Sequence, residues 1–211
     1  MRHRVLLIVG LLLALGGPEL PVTALFASRS TMTGRLEVEA FFWLITILVI
    51  LHVLFIERRT PSSIGLHRPT WKTFVFAIVA AVVLVAGIIM LFAVVFPALH
   101  LKPPTEAISS IKRTPFWFRL LLVTRAAVFE EICYRGYPIE RAGELFGQRW
   151  IGAVIAWAAF TLAHLAYWGW EALIIPGFGG LVLTLLYFWR RDLISNMIAH
   201  FLADGSGFLL G

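Results

Sequence analysis

From Phe74 to Phe96 the chain runs without one charged side chain. A run of that length spans a bilayer with some tilt, so the chain is built to fold in lipid rather than in water. Its composition agrees: 60% of the residues are hydrophobic and 14% charged, against about 25% charged in a soluble domain. Further apolar runs cover Val5 to Gly17, Ala40 to Ile56, Trp150 to Trp168, Leu173 to Trp189 and Leu193 to Leu210. With residues 115–147 crossing once, the expected fold is all-α, a polytopic transmembrane helical bundle of about seven spans. Residues 1–211 read as a single integral membrane domain, with N-terminal spans and a basic loop in 1–114 and a core in 115–211. The expected location is a bacterial cell membrane, crossed several times.

The net charge of +6 does not indicate a nucleic-acid partner, because the basic residues sit in short clusters between apolar runs. With the N-terminus, residues 57–72, Arg141, Arg149 and Arg190-Arg191 on the cytoplasmic side, the spans alternate without conflict. Residues 1–24 read as a short uncleaved span in preference to a signal peptide cut after Val22-Thr23-Ala24. Residues 25–39 read as a loop, and His52 as a packed histidine. Pro97, Pro103 and Pro104 punctuate a polar segment running to Thr114. Gly136 and Pro138 are expected to kink or break the helix after Arg135. Pro138 then starts a short helix, Ile139 to Phe146, ending at Gly147.

Ionisable side chains at membrane depth are costly, and their default reading is a functional site. The stretch Phe129-Glu130-Glu131-Ile132-Cys133-Tyr134-Arg135 holds two adjacent carboxylates and an arginine. Neighbouring helix positions point about 100° apart, so the two glutamates face different ways. Glu131 and Arg135, four apart, form a favourable pair, which leaves Glu130 as a candidate general base or acid. The bland alternative makes both glutamates part of a charge network pinning helices together. His164 lies in an apolar run four residues after Phe160. Asn196, His200 and Asp204, spaced four and four, form one polar stripe that needs partners inside the membrane; interhelical hydrogen bonding is its bland reading. At a rise of about 1.5 Å per residue, Glu130, His164 and Asp204 come out about 20–25 Å from the cytoplasmic end.

Two chemistries suit one glutamate, two histidines and an aspartate on separate helices. A carboxylate and a histidine can activate a water while other polar groups stabilise an oxyanion. Alternatively the same residues bind zinc. No His-Glu-x-x-His is present, and Cys133 reads as a small packing residue.

The pattern Glu130-Glu131-x-x-x-Arg135, Phe160-x-x-x-His164 and His200-x-x-x-Asp204 resembles the three motifs of the CAAX prenyl protease and bacteriocin-processing family, which includes the type II CAAX endopeptidases. Tyr134-Arg135-Gly136, Asn196 before His200, and the upstream Ser63-Ile64-Gly65-Leu66 fit as flanking features. The resemblance covers residues 115–211. It implies a helical bundle with an intramembrane cavity and a peptidase in which Glu130 and His164 activate water. His200 and Asp204 would form the oxyanion hole, supported by Glu131, Arg135, Asn196 and Phe160. It implies no metal, with zinc as the alternative, and no other cofactor. The expected partners are the lipid bilayer and a peptide or protein substrate, lipidated in some members. Asp204 stands where eukaryotic and archaeal members carry Asn. An ionised Asp cannot donate to an oxyanion, so it is either protonated or orients His200. Rival readings are a non-enzymatic immunity or regulatory protein of the same fold, and a small transporter or proton relay.

Overall fold

The computed structural model describes residues 2–19 and 31–210. The secretory cleavage site considered at residues 22–24 lies outside the described residues. α1 (Arg2–Leu11) continues through a π-helical turn, Leu12–Gly16, to Glu19. α2 (Met32–Leu51) begins where the Thr31 hydroxyl accepts the Gly34 N–H at 3.1 Å, and runs on through a wide turn to Ile56. Helix therefore starts within the stretch expected to be a loop. Glu39 on its inward face is buried against an arginine of another helix, so residues that look like a solvated loop are a helix facing a partner.

α3 (Trp71–Met90) extends through Leu91–Val95 and Phe96–Ala98. Val75, Ile78, Val79, Val82 and Val83 face outward, while Ala77, Ala81 and Leu84 are buried. Small residues at helical spacing let the backbone come close to its neighbours, as bilayer helices do. The polar segment after Pro104 is not all loop: it contains α4 (Thr105–Lys112), which buries Ile111.

α5 (Phe116–Glu131) passes through a π-helical turn, Ile132–Gly136, into α6 (Tyr137–Phe146). The expected break is thus absent. Gly136 keeps right-handed helical angles, and Pro138 follows directly on the wide turn at the start of α6. α6 ends at Gly147, whose φ is 77°. α7 (Arg149–Ala163) stops at His164, and one further turn follows, Leu165–Trp168. α8 (Ile174–Arg190) and α9 (Leu193–Phe208) complete the chain, with α9 packed along α3 and α5, and α7 against α6 and α8. The main core surrounds the wide turn: Phe129, Ile132, Cys133, Tyr134, Tyr137 and Ile139 pack with residues of α2, α7, α8 and α9.

The architecture among the described residues is all-helical. Four segments are long and apolar enough to cross a membrane: Met32–Ile56, Trp71–Ala98, Arg149–Trp168 and Glu171–Arg190. With the composition they make this an integral membrane protein. The seven-span count goes further than these four. α1 has ten residues, α5 with α6 carries seven ion-pairing side chains, and α9 carries a polar stripe.

The basic clusters meet at one end. Arg59 pairs with Glu144 at 2.5 Å, Arg141 with Glu57 at 2.8 Å, and Arg149 and Arg191 hold Glu140 at 3.0 and 2.6 Å. His52 is packed there, its Nε2 3.1 Å from the Leu6 carbonyl. Arg141 also donates to the Ser63 carbonyl and hydroxyl at 3.3 and 2.8 Å, and the Leu193 N–H donates to the Gly65 carbonyl at 2.9 Å. The Ser63–Leu66 turn is thereby stitched to α6 and to the start of α9. Gly65 has φ of 82°, and a Cβ there would lie 2.7 Å from the Tyr187 ring and 3.0 Å from the Arg191 carbonyl. Gly65→Ala is expected to cost about 2–4 kcal/mol, left-handed strain plus overpacking. A thermal melt in detergent reads this, and an unchanged midpoint refutes it.

Candidate active site

The register of α5 divides the two glutamates. Glu131 is fully buried and turned toward α9. It accepts from Arg135 Nη1 at 3.0 Å, from Asn196 Nδ2 at 3.0 Å and from His200 Nδ1 at 2.8 Å. The pairing with Arg135 follows from the four-residue spacing. The bonds to Asn196 and His200 were not read from the sequence, which tied His200 to Asp204 alone. Asn196 also donates to the Leu183 carbonyl at 2.7 Å, joining α8 to the cluster. The Arg135 guanidinium lies 3.9 Å over the Phe160 ring, which covers a cation whose Nε and second amino group make no hydrogen bond among the described residues.

Because Glu131 holds Nδ1 of His200, the other ring nitrogen is left for the cavity side. His200 Nε2 lies 3.4 Å from Asp204 Oδ2 and 3.8 Å from Glu130 Oε2. His164 caps α7, and its Nδ1 is 2.8 Å from the Phe160 carbonyl. A carbonyl only accepts, so Nδ1 carries the proton and a neutral ring keeps Nε2 as the base. The ring is packed edgewise between Phe160 and Trp168, at 4.7 and 5.7 Å between centroids. Phe160 is buried and touches Arg135, Tyr134 and His164, so it fixes three site side chains at once.

Glu130, His164, His200 and Asp204 all line one cavity of about 480 Å³, with Phe42, Phe129 and Leu84 among its apolar walls. Glu130 and His164 face this space without a direct hydrogen bond between them among the described residues. Among the described residues, no three His, Cys, Asp or Glu side chains are grouped so as to hold a metal ion. Cys133 is free and buried in the core.

Sequence reasoning missed Arg125 and Glu39. Arg125 donates to both oxygens of Glu39, at 2.9 and 3.2 Å, and to Glu130 Oε1 at 3.3 Å. The signal was present: an arginine six residues before Glu131 in an apolar helix needs a counter-charge, and Glu39 borders the apolar run of α2.

Residues 112–206 match the family model described as Rce1-like, type II CAAX prenyl endopeptidase Rce1-like. Over that segment the chain is similar to the Rce1-like family. The Rce1-like segment contains Glu130, Glu131, Arg135, Phe160, His164, Asn196, His200 and Asp204, so every motif residue falls inside it. Glu39 and the Ser63–Leu66 turn lie outside the Rce1-like segment yet are bonded to it. Comparisons with curated proteins and with solved structures give no match.

Proposed function

We propose that this protein is an intramembrane endopeptidase that hydrolyses a peptide bond of a membrane-associated protein or peptide. The carrying observation is that Glu130, His164, His200 and Asp204, from three helices of an Rce1-like segment, line a single cavity. In this reading Glu130 and His164 Nε2 take the proton from a water in the cavity. The resulting hydroxide attacks the scissile carbonyl, and the proton passes to the leaving amine. His200 is held by Glu131 at Nδ1 and donates from Nε2 to the oxyanion. Asp204, 3.4 Å from that nitrogen, orients the ring. This assigns Asp204 the orienting role and leaves donation to His200. No metal ion takes part in these steps.

The reading includes seven crossings, with α1, α5–α6 and α9 inside the bundle beside the four long apolar segments. The gathering of Arg59, Arg141, Arg149 and Arg191 at one end supports a cytoplasmic side there. The test compares protein termini in cells carrying wild type and Glu130→Gln. New termini present only with wild type are expected. Identical termini, with the variant still restoring the cellular phenotype, would instead make this a binding protein of the same fold.

A further inference from the structure

Glu130 is the one site carboxylate held by a cation that is itself held from outside the Rce1-like segment. Arg125 lies on α5, five residues before Glu130, and is buried. Its Nε and Nη2 are taken by Glu39 of α2, itself 4% exposed, and its Nη1 reaches Glu130 Oε1. The guanidinium is also stacked on Phe42, 4.7 Å from the ring centroid, so its plane is fixed. One oxygen of Glu130 is therefore anchored, and the other, Oε2, is the one turned toward His200.

We infer that Glu39 and Arg125 are positioning residues for Glu130. This rests on the peptidase reading above and deepens it. The two-pronged Glu39 contact aims Arg125 Nη1, and Nη1 sets which oxygen of Glu130 is free to act on water. A guanidinium balanced between two carboxylates also serves better than one paired with Glu130 alone. Glu39 draws off much of its charge, so Glu130 is oriented without being tied up in a full ion pair. The other charged or titratable groups around this cavity are Glu19, Arg35, Tyr134, His164, Tyr167, His200 and Asp204. Among the described residues none of them hydrogen-bonds Arg125, whose bonds go to Glu39 and Glu130.

The alternative is that Glu39–Arg125 merely ties α2 to α5. A charge exchange separates the two. Glu39→Arg with Arg125→Glu keeps a salt bridge between the helices but sets a carboxylate against Glu130. Full-length protein is purified in detergent with glutamate ¹³C-labelled at the carboxyl carbon. The Glu130 resonance is assigned by its loss in Glu130→Gln. The expected result is a displaced Glu130 resonance in the exchanged protein and in Glu39→Gln, with the exchanged protein melting near wild type. An unmoved resonance in both overturns the proposal. Where the exchanged protein fails to fold, Glu39→Gln and Arg125→Lys decide by the same measurement. Cleavage, followed on the cellular substrate found by terminus comparison, should fall about 100-fold in the exchanged protein, the cost of a misplaced catalytic group. Restored cleavage there makes the pair a structural tie only. If wild type cleaves nothing, the peptidase reading fails while the resonance still decides whether Arg125 positions Glu130.

Discussion

Glu131→Ala should yield little folded protein. The carboxylate is fully buried and takes bonds from three side chains on two helices, at 2.8 to 3.0 Å. Removing it leaves Arg135, also fully buried, without its only ion-pair partner among the described residues. It also leaves His200 Nδ1 without its acceptor. Breaking a buried pair by deleting one member costs about 3–5 kcal/mol, mostly because the remaining charge is stranded. Set against a total stability of about 5–15 kcal/mol, that loss consumes much of the margin. The measurement is the yield of monodisperse protein in detergent and its melting temperature. Glu131→Gln should be nearly as damaging, since it keeps the shape but not the charge facing Arg135. A Glu131→Ala protein that melts within a few degrees of wild type would mean that the buried network contributes nothing to the fold.

The neighbouring substitution should do the opposite. Glu130 lies at the cavity wall, partly exposed to it; its bond to Arg125 is longer, at 3.3 Å, and His200 approaches it only to 3.8 Å. Glu130→Gln keeps the volume, and its amide oxygen can still accept from Arg125. Arg125 retains Glu39 at 2.9 Å, so no buried charge is stranded. The fold should survive with an almost unchanged melt. Cleavage should fall by about 10²–10⁴-fold, the range for loss of a general base. Undiminished cleavage by the purified variant sinks the mechanism, and collapse of the fold would show that Glu130 is structural. Adjacent residues on one helix thus carry opposite expectations, and the pair of variants is more telling than either alone.

What the sequence revealed follows the physics of each feature. The apolar runs of α2, α3, α7 and α8 were legible because a bilayer demands them. The Glu131–Arg135 bond was legible because both members sit on one helix, where spacing alone fixes the neighbour. The approach of His200 to Asp204 was legible for the same reason. Contacts between helices were not. Nothing in the spacing says that Glu39 meets Arg125, or that His200 Nδ1 reaches Glu131. Residues 32–39 looked like a loop because Arg35, Glu37 and Glu39 are charged, yet a charge can mark a buried partner as well as a solvated surface. α5 and α9, each of 16 residues, are not among the four long apolar segments, and polar side chains of the two helices meet at Glu131.

The wide turn at Ile132–Gly136 has a mechanical meaning. A π turn holds one residue more than the α-helix would at that place, and each residue rotates the chain by about 100°. The turn therefore acts as a swivel between two gears cut on one shaft. Upstream, α5 is clocked so that Glu131 meets α9. Downstream, α6 is clocked so that Tyr137 and Arg141 meet Glu57 and Arg141 meets Ser63. Losing one residue between Ile132 and Gly136 would straighten the shaft, and only one of the two gears could then mesh.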